Sequence, residues 1–222
     1  MRARWLICEG TWFVGVDALP NGADGALAGT ALSGEAVRFA QSLFGRLPLH
    51  RGQASVVWPG YPKPRDAESD GAFRYRLKRD GAHVDGVKAD SHGQRRLEEP
   101  HAWVLGIPLN EVEAGASPMV AWEGSHKIMQ RGLLHALQGV EAARWGEVDV
   151  TEAYQAARRE VFETCRRVTL PAVPGEAYVV HRLCLHGVAP WQSDVEAGAD
   201  GRMVAYFRPE IPGGAEAWLK AD

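Results

Sequence analysis

The sequence has few cysteines, no long apolar run and no strong net charge, and each shortage removes a class of protein. Its three cysteines, Cys8, Cys165 and Cys184, are far apart and odd in number, and no Cys-x-x-Cys occurs. That is no disulfide framework, and it fits a reducing, cytoplasmic setting. The apolar run Trp5-Leu6-Ile7-Cys8, behind Arg2 and Arg4, stops at Glu9-Gly10, too early for a signal peptide. No stretch approaches the apolar length of a membrane span. A net charge of -3 gives no reason to expect nucleic acid or a charged membrane surface as partner. His-Glu-x-x-His, Gly-x-x-x-x-Gly-Lys-[Ser/Thr], Gly-x-Gly-x-x-Gly and Gly-x-Ser-x-Gly are all missing, which removes the familiar protease, phosphate-loop, dinucleotide and hydrolase chemistries. No Asn-x-[Ser/Thr] occurs either.

What remains is ordinary globular composition, with 45% apolar and 24% charged residues over 222 positions. No linker argues for a split, so a single domain over residues 1–222 is expected. Residues 5–16 predict one or two short strands. Ser33 is placed to cap a helix that buries Val37, Ala40, Leu43 and Phe44 and ends at Pro48. Residues 53–58 read as a strand. Phe73, Tyr75 and Leu77 alternate with Arg74, Arg76 and Lys78, the period of a second strand leading towards residue 83. Residues 86–100 read as a polar loop, 101–109 and 118–122 as buried strands, and 123–127 as a tight turn. Helices are expected over 130–138 and 151–165, then strands over 167–170, 177–185 and 202–208, with a loop over 190–201. Many short strands without βαβ units predict a mainly β fold with flanking helices, a two-sheet barrel or jelly roll.

One pattern carries chemistry. His83-Val84-Asp85 places an imidazole and a carboxylate on one face of an extended strand. With 8 His and 28 acidic residues in 222, such a pair arises by chance about once, so it needs a third partner. His186 supplies one near the end of a later apolar run; His181, five residues earlier, competes for the role. Two imidazoles and one carboxylate on one side of a metal leave open positions, the arrangement of non-haem Fe(II) oxygenases, although Zn²⁺ suits the same donors. Arg202, Val204, Tyr206 and Arg208 share one strand face, so a guanidinium there could clamp a carboxylate through two parallel hydrogen bonds. Trp58, Trp103, Trp122 and Trp191 read as core or wall residues.

The run His101-Ala102-Trp103-Val104-Leu105-Gly106-Ile107-Pro108-Leu109-Asn110-Glu111-Val112, the turn Glu123-Gly124-Ser125-His126-Lys127 after Met119-Val120-Ala121-Trp122, and Pro174-Gly175-Glu176 through His186-Gly187 together resemble the phytanoyl-CoA dioxygenase family. The resemblance covers about residues 53–209. It implies a double-stranded β-helix, a cupin-like barrel, with Fe(II) held by His83, Asp85 and His186, and it favours the His followed by Gly over His181. It implies 2-oxoglutarate as co-substrate, with Arg202 on its distal carboxylate and Trp103 beside it; Arg208 is the alternative anchor. Glu176 and Trp191 depart from the family's usual Asp and Asn, and the interval from His186 to Arg202 is long for it. The presence of Asp85 disfavours the halogenases of the wider group.

The expected activity is therefore Fe(II)- and 2-oxoglutarate-dependent dioxygenation. A small organic substrate would be hydroxylated with O₂, releasing succinate and CO₂. The competing expectations are a metal-binding cupin-like barrel that does not use 2-oxoglutarate, such as an isomerase or a ligand-binding protein, and a silent scaffold of the same fold.

Overall fold

A computed structural model describes residues 5–196 and 198–221. Two antiparallel sheets face each other, with helices on the outside. The larger contains β1 (Leu6–Ile7), β2 (Trp12–Gly15), β3 (Gln53–Val57), β6 (Trp103–Pro108), β9 (Tyr178–His181) and β11 (Arg202–Phe207), in the order β1-β2-β3-β11-β6-β9. The smaller has β7 (Met119–Trp122) between β10 (His186–Val188) and β8 (Arg167–Leu170). A separate hairpin joins β4 (Val87–Ala89) to β5 (Arg95–Leu97). The sheets do not close into a barrel. The N-terminal strands extend the larger sheet beyond the segment 53–209, because Trp12 and Val14 of β2 pair with Val57 and Ser55 of β3.

Strand alternation assigns the two faces. Val104, Val180, Val204 and Tyr206 point inwards and pack with Met119 of the smaller sheet. Trp103, Leu105, Ala205 and Phe207 point the other way, into a cluster with Val37 and Ala40 of α1 (Glu35–Phe44), Met129 and Leu133 of α3 (Ser125–Ala136), and Tyr154 and Val161 of α4 (Thr151–Thr164). Both faces of β6 and β11 are thus covered.

Several expected elements change. Residues 73–78 are not a strand but the body of α2 (Asp70–Lys78). The Ser69 hydroxyl caps it by accepting the Ala72 N–H at 3.2 Å, and Asp70 in the first turn and Arg76 and Lys78 in the last suit the helix dipole. The alternation was misleading because the buried residue of this helix is Arg76, while Leu77 is exposed. Ser33 does not cap α1. Gly34 occupies that position at φ 123°, and the helix ends at Gly45, φ 71°, before Pro48. Both are conformations that favour glycine. The turn at 123–127 contains the start of α3, and the Ser125 hydroxyl accepts the Leu185 N–H at 2.9 Å. The polar segment 86–100 forms the β4–β5 hairpin, its turn fixed by the Asp90 carboxylate accepting the N–H groups of His92 (2.8 Å) and Gln94 (3.0 Å). Residues 177–185 are not one strand. After His181 the chain turns, with Cys184 N–H donating to the His181 carbonyl at 2.8 Å, and crosses to the other sheet as β10. The C-terminal α5 (Gly214–Lys220) was not anticipated; it buries Trp218 and Leu219, and the Trp218 carbonyl accepts from buried Arg182 at 2.6 Å. All three cysteines are free thiols.

Arg76 ties α2 to the preceding loop through the Lys63 carbonyl at 3.0 Å and the Glu68 carboxylate. Burial pushes the Glu68 carboxyl up, but the Arg76 hydrogen bond and charge, with the Arg65 N–H, outweigh it and hold the group below its ordinary value. A depressed carboxylate stabilises the fold above its unfolded pKa and loses that contribution as the pH falls through the folded one. Urea unfolding at pH about 6 and about 3.5 is expected to show a larger acid-induced loss for the native chain than for Glu68→Gln. Equal losses would contradict the pairing. Leu105, fully buried between sheet and helices, is expected to cost about 2–5 kcal/mol when changed to Ala; a change below about 1 kcal/mol would contradict the packing.

Candidate metal centre

His83 and His186 come from segments 103 positions apart in sequence and meet as an antiparallel bridge. The His83 N–H donates to the His186 carbonyl at 2.8 Å, and the His186 N–H to the His83 carbonyl at 3.0 Å. The rings lie 4.8 Å apart. Asp85, two residues on in the extended segment, turns its carboxylate to both: Oδ1 is 3.3 Å from His83 Nε2, and Oδ2 is 3.8 Å from His186 Nε2. Among the described residues these three form the one cluster with candidate donor atoms all within 4.8 Å of one another.

The backbone around the cluster explains why it forms. Asp80 and Gly81 adopt positive φ and turn the chain after α2. The Asp80 carboxylate is held by two bonds from Arg167 of β8, at 2.8 and 2.9 Å, and its carbonyl accepts the Val188 N–H at 3.0 Å. The segment is thereby fastened to β10. Gly187 has to be glycine, since a Cβ there would collide with the Asp80 carbonyl oxygen. From the other side, the Tyr75 hydroxyl donates to the Ala82 carbonyl at 2.6 Å, and the Val84 N–H donates to the Tyr154 hydroxyl at 3.1 Å.

The hydrogen bonds also orient the imidazoles. His83 Nδ1 lies 3.0 Å from the Gly81 carbonyl, and His186 Nδ1 lies 2.9 Å from the Cys184 carbonyl. A carbonyl only accepts, so each Nδ1 carries a proton and each Nε2 is turned to Asp85. A second proton, on His83 Nε2, bonds the Asp85 carboxylate; a divalent cation in its place would meet two Nε2 atoms and one carboxylate, and the carbonyl-bound Nδ1 is the usual outer support of a metal-bound histidine. Burial alone would raise the Asp85 carboxyl, but the His83 hydrogen bond and the charges of His186, His83 and Arg208 hold it well below its ordinary value. Burial lowers His186, and Asp85 overcomes the same effect at His83 and raises it. The donors fit Fe(II) or Zn²⁺.

The cluster opens into a cavity of about 730 Å³, walled by Trp12, Ser55, Tyr61, Tyr75, Tyr154 and Tyr206 among others. Arg208 lines it, with Nη1 3.4 Å from Asp85 Oδ2 and Nη2 2.7 Å from Gln53 Oε1. Arg202 lies on the same inward face of β11, buried, with Nη1 lacking any hydrogen-bond partner, but it is not part of the cavity lining. Beside it, burial drives the Tyr178 hydroxyl far up, and that hydroxyl donates to Tyr206 at 3.0 Å. Trp103 is not brought to the site: alternation along β6 sends Val104 to the cavity and Trp103 to the helical cluster. His181 ends in the other sheet, its ring 4.6 Å from that of His126, so the crossover, not strand parity, separates it from His186. The Asp80–Arg167 clamp, Gln53 and the bonds from Tyr75 and Tyr154 left no local signal in the sequence; the close approach at Gly187 did, as the Gly after His186.

No family model matches the chain, and no curated protein does. Among solved structures it is similar to SnoK, a non-haem α-ketoglutarate-dependent carbocyclase of nogalamycin biosynthesis, at 16% identity and a TM-score of 0.43, over 85% of this chain and 60% of that one. It is similar to EvdMO1 at 13% identity and a TM-score of 0.46, over 91% of this chain and 36% of that one. It is also similar to an asparagine oxygenase, AsnO, at 14% identity and a TM-score of 0.39, over 90% and 73% of the two chains. The chain thus spans about 60% or less of the length of the first two. At these values the chemistry has to be argued from the site itself. No helix among the described residues is long and apolar enough to cross a membrane.

Because Gly187 lets the two ligand-bearing segments touch, Gly187→Ala is expected to weaken binding of a divalent metal by about tenfold or more, read by calorimetric titration of metal-free protein. Unchanged affinity would contradict the role given to that contact.

Proposed function

We propose that the protein is an Fe(II)- and 2-oxoglutarate-dependent dioxygenase acting on a small organic molecule. It would be a single domain over residues 1–222 on a double-stranded β-helix. The observation that carries this reading is the cluster of two Nε2 atoms and one carboxylate lining a cavity, each imidazole oriented by a backbone carbonyl. His83, Asp85 and His186 would hold the metal and leave the cavity side of it open. Held by these three residues, Fe(II) would supply the O₂ activation by which 2-oxoglutarate is oxidatively decarboxylated to succinate and CO₂ and the substrate is hydroxylated.

The chain's own residues do the positioning. Asp85 stays ionised and would offset part of a bound ion's charge, and Arg208, itself held by Gln53, reaches that carboxylate. We assign the distal carboxylate of 2-oxoglutarate to Arg202. It is a buried guanidinium with an unpartnered Nη1, whereas Arg208 is already committed to Asp85 and Gln53. The Tyr178 and Tyr206 hydroxyls, neighbours of Arg202 on the same inward face, would complete the polar end of that pocket. Burial keeps Tyr178 protonated and able to donate.

Succinate release in a substrate screen tests the assignments. Asp85→Ala is expected to abolish coupled turnover, and full activity in that variant would refute the triad. Arg202→Ala is expected to raise the apparent 2-oxoglutarate requirement by about tenfold or more with a smaller effect on maximal turnover. If Arg208→Ala does so and Arg202→Ala does not, the anchor is Arg208.

A further inference from the structure

Four arginines scattered in sequence gather beside the metal centre: Arg79 at the C-terminal cap of α2, Arg95 on β5, and Arg158 and Arg159 on α4. Arg95 and Arg158 line the cavity that holds the triad. Arg158 also lines, with Arg79 and Arg159, an adjoining recess of about 290 Å³, so it stands in the wall between the two. None of the four forms an ion pair among the described residues. The carboxylates of the cavity are taken elsewhere: Glu68 by Arg76, Asp80 by Arg167, and Asp85 by Arg208 and the two imidazoles. No acidic residue lines the recess.

Three of the four guanidinium groups are held against aromatic rings. That of Arg158 lies 4.5 Å from the Tyr75 ring centre and 5.1 Å from that of Tyr154. Arg95 lies 5.5 Å from Tyr154, and Arg79 lies 4.6 Å from Phe162. Stacking fixes the plane of a guanidinium and leaves N–H groups at its edge for an oxyanion. Arg95 otherwise has only a 3.4 Å bond to the Gly93 carbonyl. The same two tyrosines bond the backbone at Ala82 and Val84, so the arginine cluster is tied to the segment that carries His83 and Asp85.

We propose that Arg158 and Arg95 form an anion-binding site in the cavity, holding the phosphate or carboxylate of a small organic substrate, with Arg79 and Arg159 adding to the local positive field. The charged end would rest on the two stacked guanidiniums and the rest of the molecule would extend towards the triad. That the bound molecule is the one oxidised rests on the dioxygenase reading; the anion site itself does not.

Calorimetric titration of the full-length, metal-free protein with inorganic phosphate, and separately with malonate, tests the site. Binding of at least one of the two is expected, the tighter ion showing which oxyanion the site prefers. Arg158→Gln and Arg95→Gln are each expected to weaken it by about tenfold or more, with Arg158→Lys recovering part of the loss. Arg144→Gln, an exposed arginine outside the cavity, is expected to change nothing. The inference is overturned if neither ion binds, if both cavity variants bind as the native chain does, if Arg144→Gln weakens binding equally, or if Arg202→Ala alone abolishes it. Retention of 2-oxoglutarate-dependent spectral change in Arg158→Gln separates the two readings. Anion binding in a protein that never responds to 2-oxoglutarate would leave this site standing and remove the dioxygenase.

Discussion

The candidate centre depends on one seam, the pair of backbone hydrogen bonds between His83 and His186. Neither histidine lies in a long strand at that point, and the bridge is isolated from the ladders on either side. It exists because Arg167 grips Asp80, because the Asp80 carbonyl accepts from Val188, and because Gly187 has no side chain to keep the segments apart. Once the two backbones touch, Asp85 follows two positions along the same extended segment. The three donor atoms then converge without any long-range adjustment of side chains.

That convergence sets the electrostatics of the cavity. Three facing acceptors are stable only around a positive charge, which a proton on His83 provides in part and a divalent ion provides better. Arg208 sits on Oδ2 of Asp85, the oxygen turned to His186, and adds to the imidazoles' effect in keeping the carboxylate ionised. Further out, the stacked Arg95 and Arg158 leave the cavity with positive charge that no carboxylate balances. A site that combines a candidate metal triad with such a cationic wall would suit an anionic molecule oriented with its charged end away from the triad.

The meeting of His83, Asp85 and His186 was legible because each is encoded locally: a His-x-Asp pair in extended chain and a His followed by the one residue small enough for close approach. The strands of the larger sheet were legible from their apolar runs. The failures have local causes too. Residues 73–78 alternate like a strand, but a Ser69 cap and the burial of Arg76 against Glu68 make them a helix, and a buried arginine is invisible to an apolar count. Residues 177–185 read as one strand because the turn after His181 contains no glycine or proline; it is held by buried Arg182 reaching the carbonyl of Trp218, in a helix whose seven residues show too little periodicity to be predicted, and that of Ala221 just beyond it. Trp103 was placed beside the co-substrate by resemblance, yet strand parity sends it to the helical side. The arginine cluster, drawn from positions 79, 95, 158 and 159, exists only once α2, α4 and the β4–β5 hairpin are packed.

The most direct test of the central claim is the visible absorption of the protein on anaerobic addition of Fe(II) and then 2-oxoglutarate. The account predicts a charge-transfer band that appears only when both are present and is lost in His186→Ala. Iron binding at the triad without the band would contradict the use of 2-oxoglutarate and favour a metal-binding barrel of another kind. Failure to bind iron at all would contradict the centre itself.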